Sequence, residues 1–516
     1  MRSTHTRYAA ITATDLLLVS CLIYCALRNV WSTGGISNMT PYLFVFSCYV
    51  AARVFRRYAS LLWGISIVGI WQSVLALMQH IGWIASRHQL FDVTGSFGNP
   101  GQLGGLLAVS MVCMVCLVMQ RRKGRVYLFP LFLLQAYALW LSDSRAGWIA
   151  AVCGGLFLLW NRPPGAWPKF RTSLPVKIIL CILVAVFLWG LYCYKPDSAN
   201  GRMLVWRVSA DMIADKPLLG HGIGGFNRNY MHYQAAFFEK HPDSAYQQYA
   251  DNVQYAYNEF LHIWVDQGVI GLILSIVLIG GALLVPAERN AYKGPLIAYL
   301  VVALFSYPSY VPGLLALFPI LLAAIQSRPL SIHISKGVYW GFVAAALCCA
   351  GYVGKEYVFR KQCRTTIQGL FSSSASEIAE ARKFAADHYR RLLAYPRIAD
   401  VYAQYAFQHY DPQEALAILS DVKKVVPTSE LYCDLGDLHK ALGDFNSARD
   451  CYRTAGNMIP RRLTPKYKLF VLFRDMGDTC SARRQAAKIL DMPIRLEGTR
   501  TLKMKAEVRQ FMTTPQ

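Results

Sequence analysis

The chain has 516 residues, 54% of them hydrophobic and only 16% charged. Soluble domains carry about 25% charged residues, so this composition excludes a disordered chain, a collagen-like chain and an ordinary cytosolic enzyme. The net charge of +23 is no nucleic-acid footprint either, because +16 of it sits in short stretches between apolar runs. Those stretches hold one acid, Glu288, against Arg2 and Arg7; Arg53, Arg56 and Arg57; Arg121, Arg122, Lys123 and Arg125; Arg162, Lys169, Arg171 and Lys177; Arg289 and Lys293; and Arg328 and Lys336. They fall on every second connection, the positive-inside pattern of a multi-span membrane protein.

In chain order, eleven spans are predicted at roughly 9–29, 40–52, 61–81, 103–120, 126–141, 146–160, 178–194, 260–286, 294–307, 312–326 and 337–354. Alternation from a cytoplasmic N-terminus puts the C-terminal part outside. The first run lacks a small-residue cleavage site and reads as a retained anchor. Ten of the fourteen cysteines lie in these spans as small packing residues, including the Cys113 and Cys116 pair. Asp15 in the first span is costly there unless it lies near the cytoplasmic edge.

A large external loop, 195–259, separates spans seven and eight, and loops of that size are usually functional. Residues 202–215 are predicted to form a helix with Met203, Trp206, Met212 and Ile213 available to bury, followed by Pro217. Gly220, Gly222, Gly224 and Gly225 then permit an irregular backbone. No strand precedes them and no Lys-Ser or Lys-Thr follows, which argues against a nucleotide loop. The domain reading is a membrane part over 1–354 that includes this loop, a helical connector over 355–394, repeats over 395–493 and a tail over 494–516.

The repeats have a period of 33–34 residues, marked by Ala415, Ala448 and Ala482, by Pro427, Pro460 and Pro493, and by Gly443 and Gly477. The unit 431–460 resembles the tetratricopeptide repeat, a helix–turn–helix. Gly443 falls at the turn, Ala448 where the helices cross, and Pro460 ends the second helix. Such solenoids present binding surfaces, so a protein partner is expected on them.

Four further segments carry a second resemblance. They are SFGNPGQLGG at 96–105, SDSRAGWIA at 142–150, the loop helix with Arg202, Trp206 and PLLGHGIGGF, and YNEFLHIWVDQGVIG at 257–271. In this order, within a multi-span chain, they resemble the O-antigen ligase/polymerase superfamily, which includes protein O-oligosaccharyltransferases. The first is similar to a Phe-Gly-Asn-Pro-Asn segment, with Gly101 in place of the last Asn. The resemblance implies an all-α, GT-C-like glycosyltransferase bundle with an external helical loop. It implies inverting, metal-independent and cofactor-free transfer of a glycan from a polyprenyl diphosphate carrier to an acceptor hydroxyl. The acceptor is lipid A core, a protein Ser or Thr, or another lipid-linked glycan. The location implied is the external face of the bacterial cytoplasmic membrane, with the C-terminal repeats periplasmic.

Without a metal, cations must stabilise the leaving diphosphate, and Arg offers bidentate, permanently charged bonds. Arg145, at the external mouth of span six, is the first candidate. Arg202, Arg207 and Arg228 follow, although Arg207 has an alternative i,i+4 partner in Asp211. Tyr257 stands before Asn258 where the family often has His, so the general base must come from elsewhere. His221, His262, Glu259 and Asp266 are the candidates, with His232 and His241 behind them. Asn99 and Pro100 fit a donor site by resemblance and a turn by their own chemistry. A polymerase is the alternative within the class; a transporter or a membrane-anchored repeat scaffold is the alternative outside it. The scaffold reading requires Arg145→Ala to leave function intact and deletion of 395–493 to abolish it.

Overall fold

Apolar runs in lipid become helices because no water is present to satisfy the backbone. The computed structural model describes residues 8–32, 39–120, 127–161, 190, 193, 196–285, 290–325, 329–492 and 498–513. In chain order it contains β1 (Tyr8–Thr12), α1 (Ala13–Ser32), α2 (Thr40–Phe55), α3 (Tyr58–His80), α4 (Pro100–Gln120), α5 (Leu128–Leu141) and α6 (Arg145–Trp160). The loop supplies α7 (Pro196–Asp215) and α8 (Gly225–Lys240). Then come α9 (Glu259–Leu283), α10 (Asn290–Phe305), α11 (Pro312–Leu315), α12 (Leu317–Ile325), β2 (Pro329–Ser335) and α13 (Lys336–Gln368). Among the described residues, five helices are long and apolar enough to cross a membrane: α1, α3, α4, α9 and α13. Shorter apolar helices fill the other predicted spans, except 178–194, which falls almost wholly outside the described residues.

The described residues of Met1–Val30, Met39–Lys195 and Ala256–Glu356 cluster as one unit. Its centre is α4, buried almost without interruption from Leu103 to Leu117 and packed against α3, α5, α6 and α10. Small residues permit this close approach. A Cβ on Gly104 would meet Ser144 Cβ at 2.2 Å, and one on Gly147 would meet the Gly104 carbonyl oxygen at 2.7 Å. Two of the sequence segments singled out above are therefore in van der Waals contact. Asp15 forms an ion pair with Arg53 at 2.7 Å and accepts from Tyr49 Oη at 2.6 Å.

The fold is all-α apart from the antiparallel pair β1–β2, with Tyr8 opposite Ser335 and Ala10 opposite His333.

The second unit contains the described residues of Pro196–Tyr255 and Tyr357–Gln516. By its contacts the loop clusters with the C-terminal helices. Those helices are α14 (Ala375–Asp387), α15 (Tyr389–Leu392), α16 (Pro396–His409), α17 (Pro412–Lys423), α18 (Ser429–Ala441), α19 (Phe445–Met458), α20 (Leu463–Asp475), α21 (Thr479–Asp491) and α22 (Thr499–Thr513). From α16 to α21 they form three consecutive pairs, each packed on the next. Gly443 and Gly477 take φ of +80° and +76° at the turns inside two pairs, a conformation cheap only for glycine. Asp444 and Asp478 then cap α19 and α21 by accepting from the Ser447 and Ser481 backbone N–H groups. The expected tail is a helix, α22, whose Val508 is buried in a cluster with Phe470. On α7 the buried face is Leu204, Val205, Val208 and Met212; Met203, expected inside, is exposed.

A carboxyl cluster lies on the first helices of the pairs. Burial, with the Glu430 carboxylate adding, pushes Asp400 up to about 6. Burial does the same to Asp434, with Lys468 opposing and Asp437, Glu430 and Asp400 adding. A carboxyl raised above its ordinary 3.8 gains protons on folding, so its stabilising contribution is full at low pH and lost as pH rises through about 6. Replacing both with Asn should raise the melting temperature at neutral pH and flatten its pH dependence between the two values. Thermal unfolding of the purified protein from acid to neutral pH checks this; an unchanged profile contradicts it.

Candidate active site

The site is built at the start of α9. Asn258, at φ −158° and ψ 115°, caps this helix by accepting from the Leu261 backbone N–H at 3.0 Å. Tyr257, just before it, takes φ of +52°, a left-handed conformation that costs a bulky residue free energy and is held by its surroundings. Its ring meets the Tyr307 ring edge-on, with centroids 5.6 Å apart.

Glu259, His262 and Asp266 follow at helical spacing and share one face of α9. The short turn Pro308–Tyr310 between α10 and α11 packs there. Ser309 donates to Glu259 through its backbone N–H at 2.9 Å and its hydroxyl at 2.7 Å. His262 Nε2 lies 2.8 Å from Tyr310 Oη and 3.5 Å from Asp266 Oδ2. His262 is 9% exposed and Asp266 4%. Ala256, Tyr257, Asn258, Glu259, His262, Ser306, Tyr307 and Tyr310 line a shallow surface hollow that encloses no cavity. A carboxylate, an imidazole braced by a second carboxylate and three phenol rings thus meet at one small surface.

Below the site, α9 is interrupted at Gly268, with φ 71° and ψ −174°. The break frees the Gln267 carbonyl, which accepts from Tyr24 Oη at 2.6 Å, while the Gln267 amide donates to Tyr42 Oη at 3.1 Å. Residues 94–99 are pinned by two glutamines of α3. Gln79 Oε1 accepts from the Thr94 and Gly95 N–H groups, at 2.9 and 2.7 Å. Gln72 exchanges two bonds with Ser96. Asn99 Oδ1 accepts from the Gly101 N–H at 2.8 Å, and Pro100 opens α4. The turn chemistry of this pair is therefore realised. Phe97 reaches towards Gly313 beside the Pro308–Tyr310 turn.

Arg145 is the first residue of α6. Ser144 caps that helix at the Gly147 N–H, and Asp143 takes φ of +50° in the turn before it. The other sequence candidates belong to the second unit. Arg207 lies over the Phe237 ring at 6.0 Å, in place of the proposed Asp211 pairing. Arg228 lies against Gly224, and Arg202 is in the first half of α7. His221 Nε2 is 2.9 Å from the Met212 carbonyl oxygen and its ring meets Tyr233 edge-on, so it fastens the glycine-rich stretch to α7. His232 packs on Tyr432 and His241 on Phe237. The structure brings together Tyr257, Asn258, Glu259, His262 and Asp266. Sequence reasoning missed Ser309, Tyr310, Gln72 and Gln79; Gln72 and Gln79, seven residues apart on one face of an apolar helix, were the signal available for the loop. Among the described residues, no group of three His, Cys, Asp or Glu side chains is placed to hold a metal ion.

Comparison with known proteins adds two findings. Residues 130–276 match the family model described as O-antigen ligase, a stretch that includes Arg145, the loop and the polar face of α9. A Rickettsia conorii protein with the provisional name polysaccharide ligase is 25% identical over 181 residues, 34% of this chain and 43% of that relative. The chain thus spans less than half of that relative's length. Together with the apolar helices, these matches describe a multi-pass membrane protein with a ligase-type domain.

The Glu259–Ser309 contact is testable by itself. Ser309→Ala removes one of two donors to a buried carboxylate and should destabilise the protein by about 1–3 kcal/mol. Thermal unfolding in detergent would show it as a lowered melting temperature.

Proposed function

We propose that this chain, whose residues 130–276 match the family model described as O-antigen ligase, moves a glycan from a polyprenyl diphosphate carrier to an acceptor hydroxyl at the external face of the cytoplasmic membrane. The observation that supports this reading most is the polar face of α9, where Glu259, His262 and Asp266 meet Ser309 and Tyr310 beside one hollow. Transfer breaks the bond from the anomeric carbon to the diphosphate oxygen and forms one to the acceptor oxygen. The acceptor loses a proton, and the diphosphate departs with both bonding electrons.

In this proposal His262 receives the proton, and Asp266, 3.5 Å from its Nε2, stabilises the imidazolium that results. Glu259, held by Ser309, orients the acceptor hydroxyl. Tyr257, which stands at the family's customary histidine position, forms the wall of the hollow. Arg145 meets the developing charge on the diphosphate, a role for which its fixed charge and planar donor fork suit it. Arg202, Arg207 and Arg228 remain donor-side candidates of the second unit. Transfer is inverting and needs no metal. The acceptor is lipid A core or a protein hydroxyl, and the repeats are of tetratricopeptide type.

The test is a reconstituted assay with a polyprenyl-diphosphate glycan, EDTA present, offered lipid A core, an acceptor protein or a second lipid-linked glycan. Product on the last alone would make the protein a polymerase. Arg145→Ala should lower kcat by about 10²- to 10³-fold. His262→Ala should lower it by about 10²- to 10⁴-fold with folding preserved. A variant at either position that turns over as fast as the unmodified enzyme removes that residue from the mechanism.

A further inference from the structure

We propose that the partner of the C-terminal helix pairs is the chain's own loop: the repeats form a cradle that holds residues 225–255 in one conformation, with Gln234 as its central positioning residue. Gln234 is fully buried. Its amide donates to the Met458 carbonyl at 2.7 Å and to the Asp251 carbonyl at 3.1 Å, and its Oε1 accepts from Tyr230 Oη at 3.0 Å. One side chain thus ties the last turn of α19, where helix carbonyls lack intrahelical donors, to α8 and to the limb returning from it.

The rest of the contact has the same character. Asn252 Oδ1 accepts from the Ser429 N–H at the start of α18, and its amide donates to Glu430. Arg397 of α16 donates to Gln254 Oε1 at 3.2 Å and Tyr255 Oη at 3.0 Å. Arg453 pairs with Glu239 at 3.0 Å, and the His232 ring meets Tyr432 edge-on. Tyr230, Met231, Ala235 and Phe238 are buried along the same helix. Helices α16, α18 and α19, from two successive pairs, therefore take hold of the loop, α18 and α19 in part through their own backbone groups and α16 through the Arg397 side chain. The rigidity this supplies is needed if the loop's arginines are to meet a substrate in fixed geometry; in that respect the inference rests on the transferase reading, whereas the cradle does not.

The experiment is amide hydrogen exchange on the full-length protein in lipid nanodiscs, read alongside transferase kinetics. Gln234→Leu keeps the volume and deletes three hydrogen bonds; Arg397→Ala removes only an exposed clasp and leaves the fold intact. Gln234→Leu should raise exchange across 225–255 by about tenfold or more, Arg397→Ala should do so near 250–255, and neither should alter exchange in 100–160. Donor KM should rise in both variants. Unchanged loop exchange in both would overturn the cradle. Raised exchange with unaltered kinetics in an active enzyme would overturn the positioning role and leave the transferase reading standing. An enzyme inactive in every assay would remove the transferase reading, while the exchange data would still decide the cradle.

Discussion

Where membrane helices end, irregular backbone must find hydrogen bonds without a free supply of water, and that constraint shapes the site end of the first unit. The segments 94–99, 142–145, 256–259 and 306–311 are all irregular, and each is held by polar side chains from helices that are otherwise apolar. Gln72 and Gln79 satisfy the first, Ser144 caps the second, Asn258 the third, and Glu259 accepts from the fourth. A buried polar group left unpaired costs about 1–3 kcal/mol, so these groups are not free to exchange partners. The rim they form is stiff, and Gly104 against Ser144 joins two of its segments at van der Waals distance. A preorganised polar rim at the membrane surface is what transfer to a hydroxyl needs, because donors aimed in advance cost no reorganisation during reaction.

The apolar helices among the described residues were legible because hydropathy over about 20 residues averages out local error. The repeats were legible because Gly443, Ala448 and Pro460 each have a steric duty that few other residues meet. The buried face of α7 was not: apolar residues lie on several of its sides, so the period is ambiguous, and packing selects Leu204, Val205, Val208 and Met212. Ser309 and Tyr310 were also out of reach, since their partners lie about fifty residues earlier on another helix. Single histidines were misleading for a similar reason. His221 sits in a conspicuous glycine-rich setting, yet it serves to fasten that stretch to the Met212 carbonyl, whereas His262, in an apolar helix, lies beside Glu259 and Tyr310.

The replacement of His by Tyr257 gains a physical sense from the geometry. A residue with φ of +52° immediately before a helix cap has its ring fixed by backbone strain and by Tyr307, which suits a wall better than a proton carrier. His262 stands one turn inside the helix, with Asp266 a further turn along to brace it. An imidazole between a carboxylate and a phenol keeps its orientation whether or not a substrate is present, so proton acceptance in the proposal costs no rearrangement of the base.

The grouping of the loop with the repeats changes how the rival readings can be told apart. Judged from sequence, loss of function on deleting 395–493 would favour a scaffold, in which the repeats do all the work. The structure removes that inference. Deletion would strip Gln234 of the Met458 carbonyl, Asn252 of the Ser429 N–H, and Gln254 and Tyr255 of the Arg397 guanidinium, leaving α8 with a solvent-exposed apolar face. An enzyme whose loop depends on those contacts would lose activity as surely as a scaffold would. Only substitutions within the first unit, far from the repeats in sequence, separate the two: a scaffold tolerates the loss of the Arg145 guanidinium or the His262 imidazole, and a transferase does not.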